Sequence, residues 1–465
     1  MADKMNTVIL AAGKGTRLKI NTPKPLCPAL GKKLVDFVVE GVSNFSNKKN
    51  VKIILGFVVG HEREKVERHI TANFAHLNPT YANQEQQLGT GHALKTYFDK
   101  YPSAWESEFT LVVCADTPLI VEDVYCKLYD EIITSGADAI CATFTTADPT
   151  GYGRIEYEKS AFRIVEEKDT NEEQKKINEV NSALYLFKTS HIKNHINNLD
   201  DNNNSGEFYL TDLFKPDMNV RTMQFDDEKQ FLGVNNLIQL EEVESILRIR
   251  KLNQLMLGGV RVLNSSSVYV EQEVQVEAEC VLYPHVSLHG TTRIKAGSII
   301  ENGAVIKNSL IDEGVTIKAY SYLEGADISK NCAIGPMARL REGTKIADDC
   351  KIGNFVETKK VNLSKGVKVS HLSYLGDAEV GSNTNIGCGF ITCNYDGANK
   401  HLTQIGKDSF IGSDCQVIAP IKIGDEAYIG SGSTINQDVP DGSFAIARQR
   451  QVTKPDMAKR FIKKK

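Results

Sequence analysis

Hydrophobic residues follow two different rules along this chain. In the first half, short apolar runs alternate with polar, helix-compatible stretches. The runs at 8–10, 51–55, 111–114 and 139–143 predict strands. Such a β-α-β rhythm predicts a mostly parallel sheet with helices on both faces. Ligands of these sheets sit at the carboxyl ends of the strands. Between 235 and 257 the pattern changes: Leu237, Leu240, Ile246, Ile249 and Leu252 mix with Glu241, Glu242, Glu244, Arg248, Arg250 and Lys251. One long connecting helix is predicted there, ended by Gly258-Gly259.

The second half is periodic. An aliphatic residue recurs about every six positions: Ile294, Ile300, Ile306, Ile311, Ile317, Leu323, Ile328, Ile334, Leu340, Ile346 and Ile352. The series resumes at Leu363, Val369, Leu375, Val380 and Ile386, and again at Ile405, Ile411, Val417, Ile423, Ile429 and Ile435. A period of six suits a three-sided coil in which each short strand turns one aliphatic inward. Coils then stack at the ~4.8 Å strand spacing. This is the hexapeptide parallel β-helix, here with roughly nine coils of ~18 residues. The break between Thr392 and Ile405 must leave the coil as a loop, and loops on rigid scaffolds often carry function.

Composition narrows the classes. A length of 465 residues suggests two to four domains at roughly 100–200 residues each. A net charge of −4 gives no reason to expect a nucleic-acid surface. No stretch approaches the ~18 apolar residues of a membrane span, and the apolar run at 8–10 is too short for a signal peptide. A cytoplasmic location is expected. The ten cysteines form no C-x-x-C pair, so neither zinc nor disulfides are expected. Several fall at small-residue positions of the repeat, where a thiol packs well. The terminal Lys463-Lys464-Lys465 reads as a solvated tail.

Chemistry first shows after the first strand, in Leu10-Ala11-Ala12-Gly13-Lys14-Gly15-Thr16-Arg17-Leu18. Small residues let the backbone approach a phosphate or base, and the N–H groups of the next helical turn face an anion. The Walker spacing is absent. Arg17 and Lys24 add two cations near the same strand end, which suits a triphosphate. The segment resembles the sugar-1-phosphate nucleotidyltransferase family, which opens L-x-x-G-x-G-x-R followed by P-K. Further matches run in order through the first half: Gln84, Gln87-Leu88-Gly89-Thr90-Gly91-His92, Asp116, Pro149-Thr150-Gly151-Tyr152-Gly153-Arg154, Glu166, Asn181 and Gly233-Val234-Asn235-Asn236. The similarity is greatest to the UDP-N-acetylglucosamine pyrophosphorylase branch. It implies that Asp116 and Asn235 hold Mg²⁺ with the phosphates of UTP. It implies that Leu10, Ala11, Ala12, Gly13, Arg17 and Lys24 contact the nucleotide, that Gln84, Gln87 and Gly89 read the uracil and that Thr90 lines its pocket. Gly151, Glu166 and Asn181 would contact the N-acetylated sugar. His92 is expected only to pack or cap locally. Ala115 stands where the family has glycine, and Ser182-Ala183 where it has Thr-Gly; both add bulk near the sugar pocket.

In the second half, polar residues interrupt the repeat at Arg341, Glu357, Lys359, His371, Tyr374, Asn385, residues 394–400, Ser413 and Arg448. Amide formation from a thioester needs a base, for which histidine is suited near neutral pH. This half resembles the glucosamine-1-phosphate acetyltransferase domain fused to that same pyrophosphorylase. The matching segments are Gly335-Pro336, Ala338-Arg339-Leu340-Arg341, Gly353-Asn354-Phe355-Val356-Glu357, His371 to Ala378, Thr392 to Lys400 and Gly412-Ser413-Asp414. The resemblance implies that His371 is the general base and that Asn385 supports it or the sugar. Arg341, Lys359, Tyr374 and Lys400 would bind the sugar phosphate. Cys388, Asn394, Tyr395, Ser413, Ser431 and Arg448 would line the acetyl-CoA site, with Cys388 and Ser431 replacing alanines common in the family. A homotrimer is implied, with active sites between subunits.

Together these expectations describe an α/β chain. A Rossmann-like nucleotidyltransferase domain (1–235) is followed by a linker helix (236–259) and a left-handed parallel β-helix of hexapeptide repeats (260–465, with its tail). The expected activity is acetylation of glucosamine-1-phosphate, then uridylylation of N-acetylglucosamine-1-phosphate. Three rivals stay open: a pyrophosphorylase on an inert β-helix, a related enzyme for another sugar, and a non-catalytic solenoid.

Overall fold

The computed structural model describes residues 4–158 and 161–462. The predicted lysine tail lies outside them. The chain divides into two compact units, Met1–Leu247 and Arg248–Lys465.

The first unit is built on a nine-stranded sheet. Its elements run β1 (Lys4–Ala11), α1 (Leu34–Lys49), β2 (Lys52–Val59), α2 (Arg63–Phe74), β3 (Thr80–Asn83), α3 (Thr90–Lys100), β4 (Phe109–Cys114), α4 (Glu122–Ser135) and β5 (Ala139–Thr145). Then come β6 (Arg154–Glu158), β7 (Ala161–Val165), β8 (Glu179–Lys188), α5 (Thr189–His195) and β9 (Val220–Phe225). The main strand order is β9-β5-β8-β4-β1-β2-β3, with the β6–β7 hairpin attached to β8. The sheet is parallel from β4 through β3, and β9 is parallel to β5. β8 departs from the expectation: it runs antiparallel between β4 and β5. It follows a hairpin rather than a crossover helix, so no parallel return is imposed.

Alternation along the strands makes two cores. Ile9, Phe57, Leu111 and Val113 pack with Val35, Val38 and Val42 of α1. Val8, Val58 and Val112 pack on the other face with Leu94 and Tyr97 of α3. Strands covered on both faces read as the near-continuous apolar runs seen in the sequence.

The predicted long helix is α6 (Leu237–Leu257). Its start is pinned reciprocally: the Gln239 amide N–H donates to Asn236 Oδ1 (2.9 Å), and the Asn235 N–H donates to Gln239 Oε1 (2.8 Å). Its last turns belong to the second unit. There Leu252 and Leu255 join the β-helix core, and Lys251 donates to the Gln272 carbonyl (2.9 Å). A solenoid end needs such a cover over its open core.

In the second unit every aliphatic of the predicted series is buried, none more than 5% exposed. Ile300 pairs with Ile317 and Ile334 with Ile352, steps of 17 and 18 residues along parallel neighbours. One face stacks eleven strands, more than the nine coils expected, because the coil starts earlier than Ile294. Val270, Val276, Leu282 and Leu288 already keep the six-residue step and are inside or nearly so. Two apparent gaps in the aliphatic series are filled by Thr358 and Thr392, both buried. The Thr358 hydroxyl is satisfied by that of Thr344 at 3.0 Å. The buried thiols of Cys280, Cys332 and Cys350 donate to carbonyls of the next coil at 3.0–3.1 Å, so the repeat accepts cysteine as a small residue. At the break, Ile386 pairs with Ile411, a step of 25. The extra residues form the loop around 394–400.

Candidate functional sites on the strand ends and on the coil corners

In the first unit, neighbouring parallel strands end together. Leu10 pairs with Cys114, and the Ala115 N–H donates to the Leu10 carbonyl at 3.0 Å. Gln84 continues β3 by donating its N–H to the Val59 carbonyl at 2.8 Å. Leu10, Ala11, Ala12, Gly13, Lys24, Gln84, Gln87, Gly89, Thr90 and Asp116 therefore line one cleft of about 350 Å³. The glycine-rich loop leads into only a single 3₁₀ turn, Thr16–Leu18, and α1 begins much later. The N–H contribution expected from the next turn is limited to that one turn.

One cation of this cleft already has an anionic partner. The Lys24 ammonium forms an ion pair with Asp116 and donates to Asn235 Oδ1 at 2.9 Å. Arg17 donates to the same Asn235 oxygen at 3.0 Å. The Val234 N–H donates to the Asp116 carbonyl (3.0 Å), which docks the segment before α6 beside Asp116. Gln84 is buried, and its amide donates to the Gly89 carbonyl and to His92 Nδ1, both at 3.0 Å. His92 thus packs locally, as expected, and orients Gln84. Gln87 donates to the Ala12 carbonyl. Glu207 and Cys114 also line the cleft and were missed, having no motif to mark them. Burial pushes the Cys114 thiol up to about 12, so it stands there neutral.

Around the proposed sugar end, Gly153 lies between Glu166 and Asn181: a Cβ on it would come within 3.5 Å of Glu166 Oε2 and 3.6 Å of Asn181 Cβ. Gly151 has φ +89°, two residues earlier on the same turn. Glu166 accepts from the Thr211 hydroxyl at 2.9 Å, and burial raises its carboxyl above the usual range. Asn181 is buried, donating to the Tyr185 hydroxyl at 2.7 Å and accepting from the Ala183 N–H at 3.0 Å. The pairing of β8 with β5 slips here, and Ala183 has φ +61°. Alanine therefore occupies a left-handed position that favours glycine.

In the second unit two clusters form on successive edges of the coil. In the first, His371 is paired across coils with Asn354, and His371 Nδ1 lies 2.7 Å from Asn354 Oδ1. Cys388 continues this column, two positions past the Ile386 that pairs with Val369. Ser413 and Ser431 continue it again, with the Ser413 N–H donating to Ser431 Oγ at 3.2 Å. Arg448 lies beside Gly432 at the end of the column. Asn385 pairs with Lys368, not with His371. Asn354 stood in a matched segment without a role; only the stacking of coils shows what it touches.

The second cluster is cationic. Arg341 pairs with Glu357 at 2.9 Å. Lys359 lies against Lys400, whose ammonium, followed by the Arg341 charge, lowers the Lys359 pKa. Like charges held side by side mark a place for an anion. Tyr374 and Asn394 converge above Gly376, where a Cβ would meet the Tyr374 hydroxyl at 2.5 Å and the Asn394 amide at 2.8 Å. The neighbouring loop is organised by Asp396, which accepts from the N–H groups of Ala398 (2.8 Å) and Asn399 (2.7 Å) and from His401 (2.6 Å). These bonds, the Asn399 N–H first, hold its carboxyl well below the usual range. Lys400 is bridged to the exposed Tyr395 across this loop. Asn394 and Tyr395 thus sit with the cations, on a different edge from Cys388, Ser413 and Ser431.

Comparison with known proteins agrees with this two-part layout. A nucleotidyl transferase family model matches residues 6–230. A GMPPB C-terminal domain model matches 264–356, and a bacterial transferase hexapeptide model of six repeats matches 402–437. The chain is 40% identical over 452 residues to the bifunctional protein GlmU of Thermosipho africanus, covering 97% of this chain and 96% of that one. It is 40% identical over 453 residues to that of Trichlorobacter lovleyi and 39% identical over 453 to that of Clostridioides difficile, with 96% of each chain covered in both cases. With both kinds of family model and both clusters present on one continuous chain, it belongs to the bifunctional GlmU family.

Proposed function

We propose that this chain acetylates glucosamine-1-phosphate with acetyl-CoA, then transfers UMP from UTP to N-acetylglucosamine-1-phosphate with release of pyrophosphate. The observation that carries this is the presence of two unlike polar centres on one chain. One is the Lys24–Asp116–Asn235 set in a strand-end cleft; the other is His371 on one edge of the coil with the Lys359–Lys400 pair on the next. We take residues 1–235 and 260–465 as the two catalytic domains and 236–259 as their linker.

In uridylyl transfer, Leu10 to Gly13, Gln84, Gln87, Gly89 and Thr90 hold the nucleoside, and Arg17 and Lys24 hold its phosphates. Gly151, Glu166 and Asn181 seat the sugar so that its phosphate oxygen attacks the α-phosphorus and pyrophosphate leaves. Positioning and charge, not a protein nucleophile, do this work. Asp116 and Asn235 fit Mg²⁺: both oxygens already face a single cationic centre, the Lys24 ammonium. Magnesium is usually held by one or two protein oxygens with phosphates and water. No cluster of three or more acidic, His or Cys ligands occurs among the described residues, and magnesium needs none. When bound, the ion supplies charge that offsets the phosphates.

In acetyl transfer, His371 takes the proton from the sugar amine as the nitrogen attacks the thioester carbonyl, and CoA leaves with its sulfur. Arg341, Lys359, Tyr374 and Lys400 hold the sugar phosphate and Asn385 the sugar. Cys388, Asn394, Tyr395, Ser413, Ser431 and Arg448 line the acetyl-CoA path. We propose a homotrimer. Tyr320, Met337, Phe355 and Leu372 form an apolar column at one corner, 46–60% exposed, directly beside Asn354 and His371. Further copies covering that column place each acetyl-transfer site between subunits, which also brings together residues that one chain holds on separate edges. Among the described residues no helix is long and apolar enough to cross a membrane. We place the enzyme in the cytoplasm, with its nucleotide and acetyl-CoA.

The test is one incubation with glucosamine-1-phosphate, acetyl-CoA, UTP and Mg²⁺, following free CoA and pyrophosphate together. Both are expected from wild type, with CoA release lost in His371→Ala and pyrophosphate release lost in Asp116→Ala. Pyrophosphate only from added N-acetylglucosamine-1-phosphate, with no CoA, would reduce the second unit to a scaffold.

A further inference from the structure

We infer that Asn354 is the positioning residue of the acetyl-transfer base, fixing His371 in the tautomer whose Nε2 carries the free lone pair. The inference rests on the assignment of His371 as that base. Asn354 and His371 are direct partners on adjacent coils, and their side chains meet at 2.7 Å, Nδ1 to Oδ1. A carboxamide oxygen only accepts, so the shared proton sits on Nδ1. Nε2 is then the basic nitrogen, turned away from Asn354.

The backbone enforces the pairing. Gly353 precedes Asn354 where the next coil comes so close that a Cβ would overlap the Ser370 carbonyl. The Asn354 carbonyl accepts the Leu372 N–H at 3.0 Å. Phe355 and Leu372, the residues after each partner, both turn the corner at positive φ (+57° and +44°). Asn354 and His371 are therefore the last side chains of their strands, stacked at the same edge.

The partner is an amide and not a carboxylate. Glu357, the acid of the same segment, is committed to Arg341 at 2.9 Å. A neutral amide orients the ring while favouring its protonated form, which has no lone pair with which to take the amine proton, less than a carboxylate would. When Nε2 takes that proton, the ring becomes cationic and its Nδ1–H bond to Oδ1 becomes charge-assisted, which stabilises the transfer. The other charged or titratable groups along the stack are Lys351 on one flanking coil, Lys368 on the ring's own coil and Cys388 on the other. None of these changes in the variants below, so a shift in pH profile reports Asn354.

The experiment measures CoA release against pH for wild type, Asn354→Ala, Asn354→Asp and His371→Ala. Pyrophosphate release from N-acetylglucosamine-1-phosphate is followed on the same preparations as a check on folding. Asn354→Ala is expected to lower kcat about 10²-fold, part of what a positioned base contributes, with both KM values little changed. Asn354→Asp keeps the acceptor, so it restores most of the turnover at alkaline pH. Its carboxylate favours the imidazolium, so its acidic limb moves to higher pH. Wild-type kcat and profile in Asn354→Ala, or an Asn354→Asp enzyme lacking the displaced limb, would overturn the role of Asn354 while leaving His371 standing. Wild-type turnover in His371→Ala would overturn the base assignment and this inference with it. If the alanine variant does not fold, the limb in the aspartate variant decides alone.

Discussion

The two units hold their positive charge differently. In the first, the cleft cation is already paired: Lys24 faces Asp116 and Asn235, residues 92 and 211 positions away along the chain. In the second, Lys359 faces Lys400, whose ammonium disfavours the charge of Lys359. A paired set is held by folding contacts whether or not substrate is present. A like-charged set gains its partner only when an anion arrives. The assembly routes differ as well. The first site is collected from loops after four parallel strands, whereas the second is laid down coil by coil, with stacked partners 17 residues apart, as in Asn354 and His371.

The sharpest way to break this comparison is to disturb the stacking alone. Gly353→Ala places a Cβ against the Ser370 carbonyl, so acetyl transfer is expected to fall about 10²-fold, the usual scale for misplacing a catalytic group by an ångström. Pyrophosphate release should be unchanged. Equal loss of both activities would mean that the coil geometry does more than position the acetyl-transfer site.

A second measurement tests the facing lysines. Lys359 has a depressed pKa in the folded chain, so sugar-phosphate binding should weaken as pH rises through that depressed value. Lys400→Met is expected to raise KM for the sugar phosphate about tenfold near neutral pH, the scale of a lost charge-assisted bond. It also removes the first cause of the depression, so the alkaline limb should move to higher pH. An unmoved limb in steady-state assays across pH would show that Lys400 does not set the charge of Lys359.

The smallest effect belongs to the first unit. Ala183 sits at φ +61° beside Asn181. Ala183→Gly relieves the left-handed strain but loosens the unfolded chain, for a net gain of about 0.5–1 kcal/mol. Urea denaturation followed by tyrosine and tryptophan signals would show it as a higher midpoint with the same slope; a lower midpoint would refute the strain.

Much of both architectures was legible before any coordinates. The hexad series marked the inward residues of the β-helix because each coil repeats the same local problem, and a single period answers it. In the early coils the inward residues Val270, Val276, Leu282 and Leu288 are each preceded two positions earlier by a buried apolar residue, Val268, Val274, Cys280 and Val286, so the six-residue step does not stand out there. Thr358 and Thr392 escaped because a buried hydroxyl paired inside the coil has no apolar mark. In the first unit, the apolar runs located the central strands, but not β8 and its reversed direction, which depends on a hairpin rather than a residue pattern.

What the sequence determined by itself was therefore the repeating order: strand positions, the connecting helix, the coil period, the loop that breaks it and the residue types able to do the chemistry. Each rests on local periodicity or on a compact motif. The tertiary structure alone decided which of those residues meet. It put Asn354 rather than Asn385 against His371, Lys400 against Lys359, His92 behind Gln84, and Lys24 between Asp116 and Asn235. These are contacts between distant positions, set by coil register and by the shared ends of parallel strands, and a hydrogen bond reads spatial distance whatever the separation along the chain.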